Sequence, residues 1–128
     1  MCGIIGTTNL KISNSLFSVA LEKISRRGPD NQGFLKKDKV FFGHSRLTII
    51  DVDKRSNQPF VYRHKDHNIT ISYNGEIYNY KNIKAELIAK GYSFSTSSDT
   101  EVICAAFIEY DIKCFDLFEG MWAVAIHD

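Results

Sequence analysis

The sequence has few cysteines and prolines and almost no net charge. Its 128 residues include three cysteines and two prolines, and 16 Lys+Arg nearly balance 15 Asp+Glu, for a net charge of +1. Three cysteines without CxxC or His/Cys spacing predict neither a disulfide framework nor a zinc site. The balanced charge argues against nucleic acid or an anionic membrane as the main partner. Together these absences favour a reduced, cytoplasmic protein.

Long apolar runs and the common nucleotide motifs are also missing. No run approaches the roughly 20 apolar residues that a membrane span needs. No basic segment precedes an apolar stretch at the N-terminus, so we expect no signal peptide. The sequence contains no GxxxxGK[ST], no GxGxxG and no SGGxDS motif. We therefore expect no nucleotide, metal or other cofactor in this segment.

Hydrophobic periodicity predicts helices and strands that alternate closely along the chain. Helices are predicted behind Ser13, from Tyr80 to a glycine cap at Gly91, and behind Ser98, which with Glu101 fits a capping box. Strands are predicted near 3–8, 33–35, 40–42, 47–52, 69–73, 92–96 and 121–126. The strands lie too close together for a doubly wound parallel sheet. The spacing favours an α+β fold with helices layered over mainly antiparallel sheets.

Two strand ends carry more specific expectations. The strand 69–73 runs into Asn74-Gly75, a dipeptide that favours a turn because both residues tolerate a positive φ. The continuous apolar run 121–126 predicts a strand buried on both faces, with Trp122 in the core.

Cys2 is the first candidate for chemistry. If Met1 is removed, Cys2 carries both a thiol and a free α-amine. Such groups ordinarily have pKa values of about 8.5 and about 7.7–8.0, so the amine could accept the thiol proton near neutral pH. That combination is typical of an N-terminal nucleophile. The alternative is a small buried residue at the start of the chain.

Asn74 and Gly75 are candidates for stabilising a developing negative charge. A side-chain amide beside a glycine N–H provides two donors that can converge on an oxyanion. The alternative is an ordinary turn without a function.

Arg46 and Asp99 are candidates for binding the two charged ends of an α-amino acid. A guanidinium fork can hold a carboxylate through two hydrogen bonds. An aspartate can accept hydrogen bonds from an ammonium group. The alternatives are a surface arginine beside a strand and a first-turn helix acid that interacts with the helix dipole.

An ordered set of motifs resembles a known family and spans almost the whole chain. The motifs are Met1-Cys2-Gly3-Ile4-Ile5-Gly6, Arg27-Gly28-Pro29-Asp30 with Gly33, Gly43-His44-Ser45-Arg46-Leu47-Thr48-Ile49-Ile50-Asp51, Gln58-Pro59, Tyr73-Asn74-Gly75-Glu76-Ile77-Tyr78-Asn79, Ser98-Asp99-Thr100-Glu101 and Gly120-Met121-Trp122-Ala123. Together they resemble the glutaminase domain of glutamine-hydrolysing asparagine synthetase, a class II glutamine amidotransferase. The resemblance implies the N-terminal nucleophile hydrolase fold, a four-layer α/β/β/α sandwich.

The subfamily assignment depends on fewer residues. Pro29 within Arg27-Gly28-Pro29-Asp30 resembles the asparagine synthetase form, as does the Ile77-Tyr78-Asn79 continuation. Related amidotransferases for sugar phosphates and phosphoribosyl groups usually carry a tyrosine or a glutamine where Pro29 stands. The synthetase group also includes relatives that amidate sugars or other carboxylates, so a different acceptor remains an alternative.

The resemblance assigns roles to individual residues. Cys2 would be the nucleophile and its α-amine the base, with Asn74 and Gly75 as the oxyanion hole. Arg46 would hold the α-carboxylate of glutamine, Glu76 and Asp99 would hold its α-ammonium group, and backbone from Leu47 to Ile50 would line the pocket. The residues implied in this binding are Arg46, Leu47, Thr48, Ile49, Ile50, Asn74, Gly75, Glu76 and Asp99.

The resemblance also implies a partner domain. In the family, ammonia from glutamine passes to a synthetase domain that uses ATP and Mg²⁺ to amidate aspartate. Residues 1–128 would then be an incomplete glutamine amidotransferase type 2 domain that ends after an interior strand. An unpaired strand 121–126 would leave an apolar edge, which a homodimer could cover. The alternative is a truncated module that binds glutamine or a partner without turnover.

Overall fold

The computed structural model describes residues 2–9 and 11–128, which contain six strands and three α-helices. The strands are β1 (Gly3–Thr7), β2 (Asn31–Lys37), β3 (Val40–Arg46), β4 (Phe60–His64), β5 (His67–Ile77) and β6 (Gly120–His127). The helices are α1 (Asn14–Glu22), α2 (Tyr80–Ala89) and α3 (Asp99–Tyr110). Short 3-10 turns lie at Ser25–Arg27, Lys54–Ser56 and Asp111–Leu117. The question of whether Met1 is removed lies outside the described residues.

The strands form two three-stranded antiparallel sheets that face each other. The strand orders are β1-β3-β2 and β4-β5-β6. Helix α1 covers the outer face of the first sheet, where the Phe17 and Phe41 rings lie 5.0 Å apart. Helices α2 and α3 cover the second sheet and share one buried core with Ile69 and Ile71. The layer order is α/β/β/α, as predicted.

The helices begin and end where the sequence predicts. Ser13 caps α1 by accepting a hydrogen bond from the Leu16 amide, and Gly91 follows α2 with a φ of 95°. Ser98 caps α3, but the predicted capping box is wrong. Glu101 does not return to the cap residue; its carboxylate accepts hydrogen bonds from the backbone and hydroxyl groups of Ser95 and Thr96.

Two predicted strands are absent from the described chain, and the sequence analysis missed β4. Strands β2, β3, β5 and β6 are each longer than predicted. The segments 47–52 and 92–96 are irregular because their backbone binds side chains instead of a neighbouring strand. The predicted turn at Asn74-Gly75 is also wrong, because β5 continues through both residues to Ile77. Pairing with β6 extends the strand: Asn74 lies opposite Ala123 and Gly75 opposite Trp122.

Strand β6 is more exposed than the apolar pattern predicts. Met121 is 69% exposed and Trp122 is 36% exposed, so the prediction of a strand buried on both faces is wrong. Trp122 packs against the rings of Phe115 and Phe118 near the surface. Among the described strands, β6 lies at the edge of its sheet and pairs with β5 on one side. Within residues 2–9 and 11–128, no helix has the length and apolar character to cross a bilayer.

Candidate functional site

A cavity of about 260 Å³ lies between the start of β1, the edge of β5 and the first turn of α3. It contains every site residue predicted from the sequence except Thr48. The lining residues are Cys2, Arg46, Leu47, Ile49, Ile50, Ser56, Gln58, Tyr73, Asn74, Gly75, Glu76, Tyr78, Ser98, Asp99, Thr100 and Met121. The fold thus collects residues from almost the whole length of the chain into one concave site.

Cys2 lies immediately before β1 and is held from two directions. The Leu47 amide donates a hydrogen bond to Cys2 Sγ at 3.3 Å, and the thiol lies 3.5 Å from the Leu47 carbonyl oxygen. Arg27 Nε donates to the Cys2 carbonyl oxygen at 2.9 Å. An N–H pointing at the sulfur stabilises negative charge on it. The half-buried thiol is therefore fixed at the cavity wall.

The Arg27-Gly28-Pro29-Asp30 motif supports the same wall. A side chain at Gly28 would overlap the Ser45 carbonyl oxygen, so only glycine allows this close approach. Asp30 accepts a hydrogen bond from the Thr48 amide at 2.7 Å, and its own amide donates to Arg46 O at 3.0 Å. This bracing keeps Leu47 in place opposite Cys2. Thr48 itself is half-buried and is not among the residues that line the cavity.

The edge of β5 presents backbone amides to the cavity because β4 stops pairing at Ile71. The Tyr73 amide donates to Gln58 Oε1 at 2.6 Å, and the Ile77 amide donates to Asp99 Oδ2 at 3.1 Å. Alternate residues of a strand direct their amides to the same edge. The Gly75 amide therefore points toward the same edge, between two amides that already bind cavity-lining side chains.

Gly75 also has a packing reason for being glycine. An added Cβ would overlap Met121 O and lie 2.6 Å from Trp122 Cα on β6. The close β5–β6 approach therefore requires glycine, whatever else the residue does. The Asn74 side chain is half-buried and lines the cavity beside it.

Arg46 reaches the cavity, but the loop at 50–57 already occupies most of its donors. Its guanidinium donates to Asp53 O at 3.0 Å, to Asn57 Oδ1 at 2.5 Å, and to the carbonyl oxygens of Ile50 and Asp51. These are four hydrogen bonds from a group with five N–H donors. A substrate carboxylate would have to replace some of these carbonyl partners.

Asp99 is buried and held mainly through one carboxylate oxygen. Its Oδ2 accepts hydrogen bonds from the Tyr73 hydroxyl at 2.7 Å and from the Ile77 amide. Among residues 2–9 and 11–128, its Oδ1 has only a long contact, 3.4 Å, with the Ser98 hydroxyl. Burial, together with the negative charge of Asp99, raises the pKa of Tyr73 well above its usual value, so the hydroxyl stays a proton donor. Glu76, the other predicted ammonium acceptor, is exposed at the cavity.

Sequence reasoning gave no role to several residues that organise the site. Gln58 bridges the Tyr73 amide and the Thr100 hydroxyl, which it reaches at 3.3 Å. The Gln58-Pro59 pair was part of the motif set, and that was its only signal. The Tyr73 hydroxyl carried no signal, because an alternating strand pattern does not identify a polar contact across layers.

The other titratable groups near the core are structural. Burial lowers the pKa of His44 to about 4, so the ring is neutral and Nε2 donates to the Tyr73 carbonyl oxygen at 3.0 Å. Burial raises the pKa of the Cys104 thiol well above its usual value and that of Cys114 to about 12. In the described part of the chain, no group of three or more His, Cys, Asp or Glu side chains could hold a metal ion.

A family profile described as "Glutamine amidotransferase domain" matches residues 1–128. Among curated proteins, the chain is 36% identical over 132 residues to asparagine synthetase [glutamine-hydrolyzing] 3 of Bacillus subtilis, aligning over 100% of its own length and 21% of that protein's. It is 39% identical to asparagine synthetase [glutamine-hydrolyzing] 1 of the same organism, and the alignment covers 98% of this chain and 20% of that protein. It is 36% identical to asparagine synthetase B [glutamine-hydrolyzing] of Escherichia coli, and the alignment covers 100% of this chain and 23% of that protein. The chain thus spans about a fifth of the length of these relatives.

Solved structures provide a second comparison. The glutamine phosphoribosylpyrophosphate amidotransferase of B. subtilis, complexed with ADP and GMP, matches with a TM-score of 0.59 and 27% identity. The match covers 71% of this chain and 21% of that one. A structure of the allosteric regulatory enzyme of purine biosynthesis matches equally well, at 26% identity. These neighbours confirm the predicted α+β fold of the N-terminal nucleophile amidotransferases.

Proposed function

The chain belongs to the glutamine amidotransferase domain family, and we propose that it hydrolyses the side-chain amide of glutamine with Cys2 as the nucleophile. The observation that carries this proposal is the convergence of three elements on one cavity. These elements are the Cys2 thiol at Leu47, the open amide edge of β5 at Gly75, and the buried carboxylate of Asp99.

The reaction divides the work among these groups. Cys2 Sγ, after losing its proton to the α-amine, attacks the amide carbon of glutamine. The Asn74 side chain and the Gly75 amide donate to the resulting oxyanion. The C–N bond breaks as the protonated α-amine gives a proton to the leaving nitrogen. Ammonia departs, and a γ-glutamyl thioester remains on Cys2. Water then hydrolyses the thioester to glutamate and restores the thiol. The α-amine is free only if Met1 has been removed.

The charged ends of glutamine fit the two sides of the cavity. The Oδ1 of Asp99, which has a long contact with the Ser98 hydroxyl, supports binding of the α-ammonium group together with the exposed Glu76. Arg46 supports binding of the α-carboxylate, in exchange for carbonyl partners in the loop at 50–57. Because neutral carbonyls are weaker partners than a carboxylate, the exchange favours the charged ligand. Leu47, Ile49 and Ile50 line the wall between these groups.

The identity of the curated relatives suggests the role of the whole protein. We propose that residues 1–128 form part of a glutamine-hydrolysing asparagine synthetase, in which ammonia passes to a domain that amidates aspartate with ATP and Mg²⁺. A sugar carboxylate as acceptor is the alternative, since no described residue distinguishes the two. The three cysteines are free thiols, which supports a reducing, cytoplasmic setting.

The experiment is an assay of glutamate release from glutamine by the N-terminally processed chain. We expect wild type to release glutamate and Cys2→Ala to release none. Cys104→Ala is the matched control, because Cys104 is a fully buried core thiol outside the cavity. Equal rates for wild type and Cys2→Ala would reject Cys2 as the nucleophile. Thermal stabilisation by glutamine without glutamate release would instead favour a binding module.

A further inference from the structure

We propose that Tyr73 is a positioning residue that sets selectivity for the α-ammonium group of the substrate by orienting the Asp99 carboxylate. This inference rests on the proposed function, in which Asp99 binds that group. Tyr73 lies on the face of β5 that packs against α3, and only 3% of it is exposed. Its hydroxyl donates to Asp99 Oδ2 at 2.7 Å across the two layers.

The contacts of Asp99 divide unequally between its two oxygens. Oδ2 accepts from both the Tyr73 hydroxyl and the Ile77 amide. Within the part of the chain that the structure describes, Oδ1 has only the 3.4 Å contact with Ser98. Two donors on one oxygen fix the plane of the carboxylate and leave the lone pairs of the other oxygen for a ligand. An ammonium group is a donor without acceptors and suits that free oxygen.

The two donors also fix the position of the Asp99 carboxylate relative to the edge of β5. Tyr73 and Ile77 flank Gly75, whose amide points to the same edge. The subsite for the ammonium group is thereby held at a constant separation from the amide proposed to bind the oxyanion. Without the hydroxyl, Asp99 would keep the Ile77 amide and the long Ser98 contact, and the carboxylate could rotate about its side-chain bonds.

The test compares two ligands that differ only in the α-amine: glutamine and 4-carbamoylbutanoate. Dissociation constants are measured by calorimetry on the whole chain in a Cys2→Ala background, so that glutamine is not consumed. We expect Tyr73→Phe to weaken glutamine binding about tenfold, at the lower end for hydrogen bonds to charged groups. Binding of 4-carbamoylbutanoate should not change.

Tyr62→Phe is the matched control. Tyr62 is a buried tyrosine of β4 in the same core, and its hydroxyl donates to the Ser93 carbonyl oxygen away from the cavity. Tyr62→Phe should lower the melting temperature as much as Tyr73→Phe does. It should leave the dissociation constants of both ligands unchanged. Equal weakening of both ligands by Tyr73→Phe, or no weakening of either, would overturn the inference.

Asp99→Asn separates this inference from the proposed function. If Asp99→Asn abolishes the preference for glutamine and Tyr73→Phe preserves it, only the role of Tyr73 is wrong. If Asp99→Asn preserves the preference, or wild type binds neither ligand, the ammonium assignment fails and the role of Tyr73 fails with it.

Discussion

Gln58 lies opposite Tyr73 where a further residue pair of the β4–β5 ladder would stand, and its side-chain oxygen takes the place of a backbone acceptor. The register pairs Phe60 with Ile71, and Gln58 Oε1 accepts the Tyr73 amide at 2.6 Å. Gln58 Nε2 extends on to the Thr100 hydroxyl in the first turn of α3. One side chain thus ends the ladder, satisfies the strand edge and links it to the helix that carries Asp99.

Removing this side chain should destabilise the protein. Gln58→Ala leaves the buried Tyr73 amide without its acceptor, which we expect to lower the free energy of unfolding by about 1–3 kcal/mol. Urea denaturation followed by circular dichroism measures the change. Glu86→Ala on α2 is the control, since that exposed side chain should change stability by no more than about 0.5 kcal/mol. Equal effects of the two substitutions would show that the bridge contributes nothing.

Asn74→Ala tests the proposed oxyanion hole. Loss of one preorganised donor typically lowers the rate by about 10²–10³. We expect that loss in kcat for glutamate release, with little change in KM, because the oxyanion forms only during the reaction. The assay compares the initial rates of the two proteins at saturating glutamine. An unchanged kcat would remove Asn74 from the mechanism.

Gly75→Ala tests the packing between β5 and β6. The added Cβ would overlap Met121 O and lie 2.6 Å from Trp122 Cα, so we expect a loss of about 1–3 kcal/mol, typical of overpacking, or more. Gly91→Ala is the comparison, since Gly91 has a φ of 95° but no atom within 4 Å of an added Cβ. It should cost about 1 kcal/mol through backbone strain alone. A smaller loss for Gly75→Ala than for Gly91→Ala in thermal unfolding would contradict this account.

The three thiols should differ in reactivity. Burial raises the pKa of Cys104 far above its usual value and that of Cys114 to about 12, so neither forms appreciable thiolate at neutral pH. Cys2 is half-buried at the cavity wall, with the Leu47 amide on its sulfur. Brief treatment of the native protein with iodoacetamide should therefore label Cys2 alone, as measured by peptide mass spectrometry. Unfolding in urea is the control, and it should expose all three thiols to labelling.

His44 should make stability depend on pH. Its pKa is about 4 in the folded protein and about 6.5 when unfolded, so the unfolded chain binds more protons between these values. Above pH 6.5, the free energy of unfolding contains the full contribution of neutral His44. This contribution is lost as the pH falls to 4, by about 3 kcal/mol in total. Carboxyl groups with a lowered pKa, such as Glu109 hydrogen-bonded to Lys90, affect stability from about their ordinary pKa of 4.5 downward, so they overlap only the lower end of this window.

The measurement is the free energy of unfolding by urea at several pH values. His44→Gln should unfold with a flatter dependence between pH 4 and 6.5. A parallel pH dependence in wild type and His44→Gln would mean that His44 does not titrate differently in the two states.

The local signals in the sequence were sufficient for much of the fold. Ser13 and Ser98 cap helices, Gly91 ends one, and Gly33 and Val40 lie in the two strands of a hairpin. These outcomes depend on contacts within a few residues, which the sequence displays directly. The motif set also contained every cavity residue except Ser56, because the order of the motifs along the chain was specific even though no single motif was.

Contacts between distant segments decided what the sequence could not. Asn74-Gly75 favours a turn locally, yet pairing with β6 some 50 residues later keeps it in a strand. The loop at 50–57 occupies the Arg46 donors, and an edge position exposes Met121.

The sequence by itself determined the helix caps, the predicted layers and the identity of the candidate site residues, because each of these depends on local chemistry or on ordered motifs. Only the tertiary structure decided which strand edge stays open, which partner holds each polar side chain and which apolar strand faces solvent. Those properties are set by the packing of layers brought together from far apart in the chain, and neither periodicity nor turn propensity contains that information.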